Sequence, residues 1–237
     1  MPRYNKQNLL KRIFSRGLKL FFEILFILLI ATIVQVFLLR FIDPPFTARL
    51  AWNRLQDKFT ARQVEQPDYR WRPLAGISPH LKRAVLAGED QRFLSHHGFD
   101  IVEISQAVRD ILSAKRVRGA STITMQVART VFLWKGRSLC RKIAEAYYTA
   151  LIEICWPKER ILEIYLNTVE WGTNIMGAEA AARRYFRTSS SLLTSYQAAL
   201  MASILPNPHK WSPTNPNKRV RRRQEKIMKD MVKMPLL

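Results

Sequence analysis

Four short segments carry side chains that could do chemistry. In Glu89-Asp90-Gln91-Arg92-Phe93-Leu94-Ser95-His96-His97-Gly98, two adjacent carboxylates stand where an apolar helical pattern stops. Gly98 permits the positive-φ turn by which the chain leaves. Like charge and partial burial both raise a carboxyl pKa, and a glutamate so raised is a competent general base near neutral pH. The competing reading is a solvated helix end with Asp90–Arg92 contacts. In Arg118-Gly119-Ala120-Ser121-Thr122-Ile123-Thr124-Met125-Gln126, small and hydroxyl residues precede a helix start. Amides and hydroxyls there can hold phosphate oxygens, although an ordinary N-cap would look the same. Arg137, Arg141 and Lys142 crowd the first turn of another helix. The macrodipole makes that the unfavourable end for cations unless an anion binds there. Glu145 lies four residues after Arg141 and three after Lys142, so a plain surface ion pair is the alternative. In Lys158 to Asn167, Ile161, Ile164 and Tyr165 fit a buried helix face, with Asn167 as a left-handed helix end.

The elements that must position these groups are mostly helical. Ser78-Pro79 reads as an N-cap followed by proline at the first helical position. Asp100-Ile101-Val102-Glu103 has the pattern of a capping box, with Ile101, Ile104, Val108 and Ile111 as the apolar face behind it. Ser121 can cap a third helix, with Ile123, Val127, Thr130 and Trp134 on one side. Ser138 can cap a fourth that packs Ile143, Tyr147 and Ile154 inward. Trp156-Pro157 interrupts, and a helix restarts through Leu166. Ala178 to Phe186, Ser191 to Ile204 and a basic last segment complete the set. Pro206, Pro208, Pro213 and Pro216 mark a turn region, and alternating strand patterns are scarce. Cys140 and Cys155 flank one helix and are expected as packed thiols.

Composition bounds the partners. The chain has 237 residues, 39 Lys+Arg against 18 Asp+Glu, and a net charge of +21. A hydrophobic content of 48% excludes a disordered polybasic tail, and two cysteines exclude a disulfide scaffold. What remains is a folded protein that favours anionic partners, nucleic acid or a membrane surface. The charge is uneven. Arg3, Lys6, Lys11, Arg12, Arg16 and Lys19 precede an apolar run, Leu20 to Leu39, whose one charge is Glu23. Twenty helical residues span about 30 Å, the thickness of a hydrocarbon core. Arg40-Phe41-Ile42-Asp43-Pro44-Pro45 after the run suits a retained anchor better than a cleaved signal peptide. Cations before the run predict a cytoplasmic N-terminus and an exported remainder, which disfavours nucleic acid. A second basic cluster, eight cations against two acids, occupies 218–233.

Each segment alone is weak, but the ordered series is specific. Glu-Asp-x-x-Phe-x-x-His-x-Gly, Gly-x-Ser-Thr-Ile-Thr-x-Gln, Arg-Lys-x-x-Glu and Lys-x-x-Ile-Leu-x-x-Tyr-Leu-Asn resemble the peptidoglycan glycosyltransferases, glycosyltransferase family 51. A fifth block, Gly177-x4-Ala182-x2-Tyr185-Phe186, is also similar to that family, and the resemblance spans about residues 70–215. Because no transpeptidase domain follows, the resemblance is to the monofunctional members. It implies a mostly α, lysozyme-like domain with a membrane-proximal lobe, preceded by one transmembrane helix. The expected organisation is a cytoplasmic basic tail (1–19), the transmembrane helix (20–39), a linker and lead-in segment (40–77), the catalytic domain (78–217) and a basic C-terminal helix (218–237).

The resemblance further implies polymerisation of lipid II at the bacterial inner membrane, with the catalytic domain periplasmic. The expected partners are lipid II, the growing glycan strand, membrane lipids and cell-division or elongation proteins, but not nucleic acid. Glu89 falls at the general base. Glu145 falls at the second glutamate, which places the donor diphosphate through a divalent cation (Mg or Mn) or neighbouring cations; no organic cofactor is expected. Ser121, Thr122, Gln126, Arg129, Arg137, Arg141 and Lys142 fall at substrate-binding positions, and Asp90, Phe93 and His96 join them as the shell that orients Glu89. Met125 stands where many members have glutamine, which removes any polar role there. Residues 101–117 with Phe132, Leu133 and Trp134 are a candidate bilayer contact. Two other functions fit less of the pattern: a lytic transglycosylase or lysozyme-like enzyme, and a non-enzymatic scaffold for anionic lipid.

Overall fold

The structure is a computed structural model that describes residues 6–44, 68–113, 119, 121–134, 136 and 138–237. Most of the linker expected over 40–77, together with Arg118, Ala120 and Arg137, lies outside the described residues. The chain forms two compact units, one ending at Ile42 and the other running Asp43–Leu237. The first is a single helix, α1 (Lys6–Leu39). It begins well before Leu20, because no proline interrupts residues 6–19 and leucine, lysine and arginine are good helix formers. The stretch Phe14–Leu39 contains an 18-residue window of mean hydropathy 2.7 and is long and apolar enough to cross a membrane.

The second unit is helical, with one small sheet. Its helices are α2 (Pro79–Glu89), α3 (Ile101–Leu112), α4 (Ile123–Phe132), α5 (Leu139–Cys155), α6 (Lys158–Thr168), α7 (Ala178–Phe186), α8 (Ser195–Ile204) and α9 (Lys218–Asp230). Strands β1 (Asp68–Tyr69), β2 (Glu170–Gly172) and β3 (Ile175–Met176) make a sheet in the order β1-β3-β2. Asp68 pairs with Ile175 in parallel register, and β2 and β3 form an antiparallel hairpin. Helices α2, α8 and α9 pack together, α4 packs against α5 and α6, and α7 lies on the sheet. Core side chains include Leu81, Val85, Ile123, Val127, Ile161, Leu166, Trp171 and Met201.

Local chemistry explains most boundaries. The Ser78 hydroxyl accepts from the His80 amide, with Pro79 inside the first turn. The Asp100 carboxylate accepts from the Glu103 amide at 2.9 Å, and Ser138 accepts from the Arg141 amide. Trp156 ends α5 and Pro157 caps α6. Gly98 has φ +84°, and a Cβ there would stand 2.7 Å from Thr149 Cγ2, so only glycine lets this turn rest on α5.

Several expectations are corrected. Thr122, not Ser121, caps α4, and Trp134 falls beyond its end. The helix expected from Ser191 is a short 3-10 turn (Ser190–Leu192) followed by α8, which Thr194 and Gln197 start with a capping box. Asn167 is a buried residue inside α6; its side chain ties to the Arg72 backbone through two 2.8 Å bonds, a local demand that outweighs its turn preference. Helix α5 is turned over relative to expectation: Ile143 and Ile154 are exposed, while Glu145, Thr149 and Ile152 are buried. A polar stripe faces inward because those side chains find partners there. Cys140, in the outward first turn of α5, is exposed rather than packed, and Cys155 is half-buried. Among the described residues the apolar face of α3 is largely uncovered: Ile101, Val108, Ile111 and Leu112 are exposed and Ile104 is half-buried.

Candidate active site

The first segment ends α2 at Glu89, and the second, fourth and last helices converge on it. Gln126 of α4 donates from Nε2 to Glu89 Oε2 at 3.1 Å. Tyr165 of α6 donates its hydroxyl to Gln126 Oε1 at 3.3 Å. Arg223 of α9 donates from Nη2 to Glu89 Oε1 at 2.8 Å and to the Gly88 carbonyl at 2.7 Å. Each carboxylate oxygen of Glu89 thus has one donor and keeps a lone-pair direction free. Burial pushes the Glu89 carboxyl above the usual glutamate range; Arg223 and Gln126 oppose that rise without cancelling it. The Tyr165 phenol is pushed well up by its own burial and by the Glu89 charge, so it stays a neutral donor.

Asp90 and His96 sit behind this centre, both buried. His96 Nε2 lies 2.9 and 3.1 Å from the two Asp90 oxygens. Asp90 Oδ2 also accepts from the Ile123 amide at 3.0 Å, the first residue of α4. A carboxylate at a helix N-terminus satisfies an orphan amide and complements the macrodipole. The Thr122 hydroxyl donates to the Gly98 carbonyl at 2.6 Å. Lys158, which opens α6, donates to the His96 carbonyl at 2.7 Å and to Glu153 at 2.9 Å, and lies 4.5 Å above the Phe93 ring. Thr124 donates to the same Glu153. The first, second and fourth segments are therefore one interlocked polar network. Arg92 pairs with Asp100, so the Asp90–Arg92 contact is not what this helix end uses.

Of the expected substrate-binding residues, Asp90, Phe93, His96 and Thr122 are buried. They hold the site from behind and offer little surface to a ligand. Ser121 and Gln126 are half-buried and Arg129 is exposed. In the third segment Glu145 is 1% exposed, which removes the surface-pair reading. Arg141 Nη1 donates to it at 2.8 Å and Lys142 Nζ at 2.6 Å. The Lys142 side chain remains half-exposed.

These donors do not fit a divalent cation at Glu145. Each of its oxygens accepts from a cationic side chain, so a metal ion would have to approach or displace two like charges. The described residues hold one other grouping of ligand atoms, Asp90, His96 and Asp100, within 4.8 Å of one another. Its oxygens already serve His96, the Ile123 and Glu103 amides and the Arg92 guanidinium.

Arg223 was not singled out in the sequence, where it stands in a run of cations. Spacing carries the missing signal. It lies three residues after buried Val220 and four before buried Ile227, at the edge of the inward face of α9.

A helical domain that fixes a largely buried, up-shifted glutamate at a helix end has the lysozyme-like design of an enzyme working at a glycosidic bond. The comparisons with known proteins agree. The family model described as Transglycosylase matches residues 56–232. The chain is 46% identical over 212 residues to the biosynthetic peptidoglycan transglycosylase of Ectopseudomonas mendocina, covering 90% of this chain and 87% of that protein. It is 44% identical over 221 residues to the protein of the same name from Shewanella oneidensis (93% and 92% covered), and 45% identical over 206 residues to that of Caulobacter vibrioides (86% and 87%). The chain belongs to the transglycosylase family.

Proposed function

We propose that Glu89 is the general base with which this peptidoglycan glycosyltransferase polymerises lipid II. The acceptor's sugar 4-hydroxyl gives its proton to a Glu89 oxygen as it attacks the donor anomeric carbon. The bond from that carbon to the diphosphate breaks, and the polyprenyl diphosphate leaves with inversion. The transition state is oxocarbenium-like at the sugar and gains negative charge on the leaving group. Lys142 and Arg141, held by Glu145, face that charge together with Arg129; one such contact is worth on the order of 3 kcal/mol in a transition state. No metal is needed for this role, since the buried Glu145 carboxylate preorients two cations.

The observation that carries the reading is Glu89 itself. It is a carboxylate raised by burial, fixed through both oxygens, at the start of the segment that resembles the family's first motif. A base so placed gives a rate that falls as pH drops through a value above the ordinary glutamate range. The test is lipid II polymerisation by wild type and Glu89→Gln, with and without chelator. The variant should lose nearly all polymerisation while still binding lipid II. Wild-type-like glycan from Glu89→Gln would remove the base. Shortening of preformed glycan, in place of new strands, would favour a lytic enzyme.

The localisation follows from α1. It is a single-pass anchor in the inner membrane, with six cations on the cytoplasmic side and the catalytic unit in the periplasm. The exposed apolar face of α3, with Trp134, then meets lipid near where the substrate's chain enters; Leu133 is buried, and Phe132 stacks on Tyr148 at 4.5 Å. Protein partners in division or elongation would meet the unit from the periplasmic side.

A further inference from the structure

Glu89 is the last residue of α2, and that is a poor place for a negative charge. The last carbonyls of a helix carry its partial negative end, and burial adds to the cost of ionisation. A general base must nevertheless be ionised to accept a proton. The charged and titratable groups around it come from four elements. Asp90 follows it in the chain and opposes its charge; Arg129 of α4 and Tyr165 of α6 lie in the same neighbourhood. Helix α8, which also packs on α2, has no charged residue, and Lys233 in the turn after α9 is exposed. Arg223 of α9 is the cation bonded to the carboxylate itself.

The seat of Arg223 is built. Its Nη2 reaches both the Gly88 carbonyl, one of the orphan carbonyls at the end of α2, and Glu89 Oε1. Gly88 leaves room for the approach: a Cβ there would stand 3.0 Å from Ile227 Cδ1 and 3.5 Å from Arg223 Nη2. The Arg223 Nε is buried with no partner among the described residues, so the bonds of this side chain are made by its Nη2.

We propose that Arg223 is a positioning residue of the glycosyl transfer: from the last helix it fixes the Glu89 carboxylate and keeps it in the proton-accepting form. It neutralises the α2 end and leaves one lone pair on each oxygen of the base for the acceptor hydroxyl. The inference rests on Glu89 being the base.

The test is the pH dependence of kcat/KM for lipid II polymerisation by the full-length chain in detergent. Wild type, Arg223→Gln, Arg223→Lys, Glu89→Gln and Arg222→Gln are compared; Arg222 is exposed on the same helix. Arg223→Gln should move the acid limb up by about one pH unit or more, the usual effect of removing an adjacent opposite charge. Its rate should recover toward alkaline pH. Arg223→Lys should restore much of the limb, and Arg222→Gln should leave it in place. An Arg223→Gln rate reduced equally at every pH, a limb shifted as far by Arg222→Gln, or an Arg223→Lys no better than Arg223→Gln would each overturn the proposal. Activity in Glu89→Gln would instead bring down the base assignment on which it stands.

Discussion

Asp90 offers a sharp test of the interlocked network, because its contributions can be counted. It is 7% exposed and serves two partners on different elements, the His96 ring and the Ile123 amide. Asp90→Ala leaves both donors without acceptors. An unsatisfied buried donor costs about 1–3 kcal/mol, and the lost bonds are charge-assisted, so the sum is about 4 kcal/mol. At about 2–4 °C per kcal/mol for a domain of this size, the melting temperature should fall by about 8–16 °C. Asp90→Asn keeps one carbonyl acceptor and should lose about half as much. The assay is far-UV circular dichroism melting in detergent, with urea unfolding as a second measure. An Asp90→Ala protein within about 1 kcal/mol of wild type would refute the claim that Asp90 joins α2 to α4.

Two further outcomes follow from other parts of the molecule. Burial opposes the charge of Glu179, but Arg72, the Ser190 amide and hydroxyl, and Arg183 pull its carboxyl down to about 2. A carboxyl lowered on folding contributes stability above its unfolded value, near 4.5, and loses it as pH falls toward 2. Glu179→Gln should therefore flatten the loss of stability over that window; an unchanged acid-unfolding curve would count against it. Lys142→Ala takes a half-exposed cation from the buried Glu145, which keeps Arg141; it should cost about 1–3 kcal/mol of stability and raise the Michaelis constant for lipid II. The increase should shrink with added salt, since salt already screens the missing attraction. An unchanged constant at low salt would leave Lys142 a structural role only.

Much of the local structure around the candidate site was legible because its chemistry is local. Ser78, Asp100, Ser138 and Pro157 announce helix starts by what their side chains can and cannot bond, and the structure uses all four. The segments around Glu89, Gln126 and Glu145 declare themselves by residue types that a core would not otherwise want. Facing was harder to read. In α5 the inward stripe is Glu145, Thr149 and Ile152, so a search for apolar periodicity selects Ile143 and Ile154 on the wrong side. In α3 most of a well-formed apolar face is uncovered among the described residues, and nothing in the pattern separates that from a core helix. Arg223 was lost among its neighbours, since charge counting treats seven exposed cations and one half-buried one alike.

The bond between Glu89 and Arg223 joins positions 134 apart in the chain. Contacts of such separation form late, after the intervening loop has closed. During synthesis, the helix that ends in Glu89 emerges long before residues 218–230 do. Until that last helix arrives, the carboxylate sits at the negative pole of its own helix without its counter-charge. On the role proposed for Glu89, catalytic competence is tied to the completion of the fold, and a partly made chain has no assembled site with which to join lipid-linked substrate.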